Sequence, residues 1–141
     1  MPADTLSIIR RCILVILVFG LTGAGAELLL IEHYEAAAQR VPLVLVAASL
    51  VAIAWHVASR SRASVRGLQA MMVLCMAAGG VGVALHFRGA AEFQLEIDPS
   101  ISRSALVQKV MRAKAPPVLA PGVMVQLGLL GLAYAHRWSR S

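Results

Sequence analysis

The chain has 141 residues, 59% of them hydrophobic and 14% charged, and a formal net charge of +6. Soluble domains average about 25% charged residues, so this composition excludes one and points to a polytopic membrane protein. The length leaves room for a single bundle and no separate soluble domain, and a basic surface of this kind suits anionic lipid headgroups rather than nucleic acid.

Four stretches, about 12–31, 41–59, 67–87 and 115–136, are nearly free of charge. Each supplies about the 20 apolar residues that a helix needs to cross the hydrocarbon core. Runs such as VPLVLVAASLVAIAW are apolar on every side, whereas barrel strands alternate over about ten residues. The predicted fold is therefore all-α: one transmembrane domain, residues 1–141, of four spanning helices and a short amphipathic interfacial helix in the third loop.

The first span follows Arg10 and Arg11. Ala24-Gly25-Ala26 resembles a signal-peptide cleavage site, but the apolar run resumes at Leu28 and reaches spanning length, which favours an uncleaved helix. Within this span Glu27 is the sharpest signal, because a carboxylate in a membrane is costly unless paired or protonated. Gly20, Gly23 and Ala24 share its helical face, and small residues at that spacing let another helix approach closely. Glu32-His33-Tyr34-Glu35 closes the span. Val41-Pro42 then opens the second, with proline in its tolerated first turn. Trp55 near the end of that helix, and Trp138 after the last, fit an aromatic belt; Tyr34 and Phe87 serve the opposite interface. Arg60, Arg62 and Arg66 surround the next turn, facing lipid headgroups together with Arg10 and Arg11.

The third span carries Gly79, Gly80 and Gly82 as close-packing residues and ends near His86. Residues 88–114 form the longest connection. Glu92-Phe93-Gln94-Leu95-Glu96-Ile97 alternates polar and apolar, the pattern of an extended segment with one covered face. Asp98-Pro99 reads as a helix cap followed by a first-turn proline. The amphipathic helix that follows places Leu106, Val107, Val110 and Met111 on one stripe and Gln108, Lys109 and Arg112 on the other. Pro121-Gly122 opens the fourth span, in which Gln126 matches Glu27 in depth.

Depth thus predicts a polar cluster of Glu27, His86 and Gln126, with His33 and Tyr34 just above. It could be a hydrogen-bond network, a proton or cation site, or a metal site using His33, His86 and a carboxylate. The histidines also pair by depth as His33 with His86 and His56 with His136, the pattern two b-type haems require. The interfacial positions of His33 and His136, beside Glu32 and Arg137, suit solvated side chains better. No resident cofactor is expected.

Catalytic motifs are missing. There is no H-E-x-x-H, no P-loop and no CxxC; Asp4 and Asp98 lie outside the spans; and no base accompanies the serines. With the amino terminus inside, seven arginines (Arg10, Arg11, Arg60, Arg62, Arg66, Arg137 and Arg140) face the cytoplasm. Six bases lie outside, matched by six acids. The positive-inside rule counts bases, and the compact Arg-Ser-Arg turn tips it. The expected protein is a multi-pass subunit of a bacterial-type plasma membrane with both termini cytoplasmic. It would dock with other membrane subunits or with itself, and not act as an enzyme. The alternative is a proton or cation transporter or channel subunit built on Glu27.

Overall fold

Apolar side chains around the whole circumference and few interior breakers give long helices. In the computed structural model, which describes residues 3–114 and 117–136, they are α1 (Ala3–Leu30), α2 (Ala37–Ser59), α3 (Arg62–Ile97), α4 (Arg103–Met111) and α5 (Leu119–Ala135). All regular structure among the described residues is helical. Three helices, α1, α2 and α3, are long and apolar enough to cross a membrane. With 17 residues, α5 measures about 26 Å.

Local chemistry sets the ends. Glu32 enters the left-handed region at φ 54°. Its N–H and that of His33 return to Leu29 O (3.1 Å) and Leu28 O (2.9 Å), the Schellman closure of α1. The Ala36 N–H donates to Gln39 Oε1 at 2.9 Å and starts α2. That start is earlier than the sequence suggests, so Pro42 stands inside the helix and leaves the Ala38 carbonyl without its usual intrahelical donor. At the far end Arg60 turns left-handed, φ 47°, and Ser61 caps α3 by accepting from the Ser64 N–H at 3.1 Å.

The segment 88–97 corrects the sequence reading. It is the continuation of α3, not an extended strand, and with α4, the short helix expected in this connection, it makes 88–111 a helical hairpin. Polar–apolar alternation over six residues is also compatible with a helix. Here the ladder of α3 runs on unbroken, and the Arg88–Glu92 pair, 2.7 Å at helical i,i+4 spacing, supports it. A lone strand would have left its backbone unpaired. Asp98 closes α3 instead of opening α4; its carboxylate accepts from Ser100 N–H (3.1 Å) and Oγ–H (2.8 Å). The cap of α4 is Ser102. That helix turns back on α3 and buries Val110, with Leu106 partly buried, while Val107 and Met111 stay exposed.

The four long helices pack as a ring, α1 on α2, α2 on α3, α3 on α5 and α5 on α1. The closest seam joins antiparallel α3 and α5. A Cβ on Gly79 would lie 2.7 Å from Pro121 O, and one on Gly128 would lie 2.6 Å from Met72 O, so only glycine permits this approach. The core beneath holds Leu17, Leu21, Leu68, Met72 and Leu127.

Candidate functional site

Towards the α1–α2 turn, where Pro42 sits within α2 and α3 is dense in glycine and alanine, side chains are too small to fill the space between the helices. A cavity of about 710 Å³ remains, reached by α1, α2, α3 and α5. Its walls are mostly apolar, with Ala24, Leu28, Ala78, Gly82, Leu85 and Pro121 among them. Four polar side chains join this lining: Glu27 from α1, His33 from the turn, Gln39 from α2 and His86 from α3.

Their hydrogen-bonding capacity is largely unspent. The exposed Glu27 carboxylate receives no hydrogen bond from another described residue. Gln39 uses its carbonyl oxygen on the Ala36 N–H, which leaves its amide hydrogens for the cavity. The imidazoles of His33 and His86 lie nearly parallel, centroids 6.1 Å apart and planes 20° from one another. This juxtaposition links residues 53 positions apart in sequence, and matching depth was the only signal for it.

The expected cluster is thus brought together in part. Gln126 is exposed and Tyr34 is exposed, and neither lines the cavity. The buried face of α5 is set by Met124, Leu127, Gly128 and Gly131; Gln126 is two residues from both Met124 and Gly128, which turns it away from that face at 100° per residue. Counting residues along the axis says nothing of rotation. Gln39, absent from the sequence expectation, takes its place. Among the described residues no three His, Cys, Asp or Glu side chains converge as a metal would need, so Glu27 does not complete a three-ligand site with His33 and His86.

The packing residues divide likewise. Gly20 meets Leu127, Gly79 meets Val125 and the Pro121 backbone, Gly82 meets the Pro121 ring, and Ala24 packs on the core. Gly23 and Gly80 face open space and take no part in packing within the chain. At the opposite end stand Arg10, Arg11, Arg60, Arg62 and Arg66, all but the partly buried Arg10 exposed. Arg10 donates to the His136 carbonyl at 3.5 Å. Trp55 covers Gly67, where a Cβ would come within 2.9 Å of its ring; Trp138, Arg137 and Arg140 lie outside the described residues.

A second polar group, unforeseen in the sequence, sits in the core. His56 is 1% exposed, and its Nδ1 lies 3.2 Å from Ser64 Oγ. Ser64 donates to Ser61 O at 2.9 Å, so its oxygen is left to accept from Nδ1–H. Tyr134 meets the imidazole edge-on at 5.7 Å. Further along the same interior, Ser49 Oγ and Cys75 Sγ are 3.3 Å apart. His56 is therefore a core histidine tying α2 to α3 and α5, while His136 ends α5 and is exposed. No buried side-chain nitrogen or oxygen among the described residues lacks a partner. No protein-family model, curated protein or solved structure matches this chain.

Proposed function

We propose that the chain is a four-span protein of a bacterial-type plasma membrane, non-enzymatic, that serves as an accessory or structural subunit docking with a larger membrane complex. In this reading α5 is the fourth span. Its shortfall against a hydrocarbon core of about 30 Å is a few ångströms, a mismatch that costs fractions of a kcal/mol per Å. Both termini are cytoplasmic, supported by the arginines that gather at that end of the bundle.

The observation that carries the reading is the length of α3. Its 36 residues rise about 54 Å, well beyond the hydrocarbon thickness. With the basic end at the inner surface, the chain leaves the lipid near Phe87, and 88–111 form a helical hairpin on the outer side. That hairpin exposes Phe93 by 59%, Ile97 by 60%, Val107 by 48% and Met111 by 42%. Apolar side chains gathered outside the bilayer are what a docking surface presents. Tagged protein extracted in mild detergent should bring a membrane partner, identified by mass spectrometry, and the double substitution Phe93→Ser and Ile97→Ser should release it. A chain that elutes alone, or a partner retained by the double variant, would contradict the proposal.

The cavity favours a second reading, with Glu27 as a proton or cation site of a transporter. Against it, the path towards the inner face meets Leu17, Leu21, Met72 and Leu127, all buried. Glu27→Gln keeps the shape and removes the charge, so a carrier would lose flux while a docking subunit would keep its partner.

A further inference from the structure

We propose that the cavity at the outer end of the bundle binds an uncharged amphiphile with a planar, hydrogen-bonding head, of the isoprenoid quinone class. The proposal is independent of the docking surface and of any carrier role.

The argument rests first on size and wall chemistry. A volume of about 710 Å³ falls within the range of small-molecule sites, about 300–1,000 Å³. The lining is apolar apart from four side chains that together both donate and accept hydrogen bonds. A site with few convergent polar groups in an apolar wall fixes a head and leaves a tail in hydrocarbon.

Charge then selects the class. Among the described residues no Lys or Arg lines the cavity, so no fixed positive charge there would hold a phosphate or a fatty-acid carboxylate, and Glu27 would repel either. A cationic head would meet Glu27 but would leave the Gln39 amide and the imidazole N–H donors without an acceptor. A neutral head with carbonyl or hydroxyl oxygens fits all four: the Gln39 amide and histidine N–H groups donate to a carbonyl, and Glu27 accepts from a hydroxyl. The two imidazoles stack on each other, centroids 6.1 Å apart, and a planar ring packs on the outward face of such a stack, unlike the branched glycerol of a neutral lipid. Gly89 is exposed and lines the same space, and a Cβ there would meet nothing within 4 Å, so a larger side chain can be added at this position without a clash.

The test uses the full chain reconstituted in phosphatidylcholine nanodiscs free of quinone, with decyl-ubiquinone as probe and dioctanoylglycerol as competitor. Saturable binding of about one quinone per chain is expected, not displaced by the glycerolipid. His86→Phe keeps a flat ring without hydrogen bonds, and Gly89→Leu fills the open space; each should weaken binding at least about tenfold, which is 1.4 kcal/mol. Both positions are exposed, so neither variant should unfold below the wild-type temperature, and Gly89→Leu gains helix propensity. Absence of saturable binding would overturn the proposal, as would equal affinity in both variants. Displacement by an equal concentration of dioctanoylglycerol would overturn it too, by showing a general lipid slot.

Discussion

Gly128→Ala should be the most damaging single methyl in the chain. The new Cβ would stand 2.6 Å from the Met72 carbonyl oxygen and 3.2 Å from the Met76 nitrogen, both of them backbone atoms of α3. Ordinary contact begins at 3.4 Å, so the two helices must part by roughly 0.8 Å along their tightest seam, and packed interiors resist such shifts. Overpacking of this kind costs about 1 to 3 kcal/mol. The better helix propensity of alanine returns up to about 1 kcal/mol. A net loss of about 1 to 2 kcal/mol is expected. Gly80→Ala is the control, because its Cβ meets nothing within 4 Å; there the propensity acts alone and should stabilise by about 0.5 to 1 kcal/mol. Unfolding of both variants in detergent micelles, followed by far-UV circular dichroism against added dodecyl sulfate, gives the comparison. Equal stability, or a more stable Gly128→Ala, would refute the backbone-to-backbone seam.

Three further substitutions probe separate features in the same assay. His56→Leu removes the Nδ1 contact with Ser64 and the edge contact with Tyr134, and should cost about 1 to 3 kcal/mol; a neutral result would place the histidine outside the core. Glu27→Leu should change stability by less than about 0.5 kcal/mol, since the carboxylate receives no hydrogen bond from another described residue; a loss above that would reveal a partner in the folded protein. Arg60→Gly should stabilise by about 0.5 to 1 kcal/mol, because φ of 47° suits glycine and strains other residues.

Long apolar runs made the helices legible, because a segment apolar on every side has few other solutions in lipid. The basic cluster at one end was equally plain. Where neighbouring elements decide the outcome, the sequence said less. Residues 92–97 carry a two-residue alternation, and only their continuity with α3 and the cover of α4 make them helical. The polar stretch Ala37-Ala-Gln-Arg40 gave no apolar signal that α2 begins there; the Gln39 side chain supplies it by reaching back to the Ala36 N–H. Glu27, His33 and His86 could be brought to one level by counting residues along helices. Rotation could not be counted in that way, and Gln126, placed by depth alone, is exposed and does not line the cavity. His56 stood out in the sequence only as a depth match for His136, and its contacts in the core come from Ser64 and Tyr134, contributed by two other helices.

The proposed docking surface requires that 88–111 lie across the membrane from the arginine-rich turn. Single cysteines introduced at Arg62 and at Ser104, with Cys12 and Cys75 replaced by serine or alanine, can be labelled in intact cells with a membrane-impermeant maleimide. The account predicts that position 104 reacts from outside and position 62 only after the cells are opened. Reaction of both positions from the same side would contradict it.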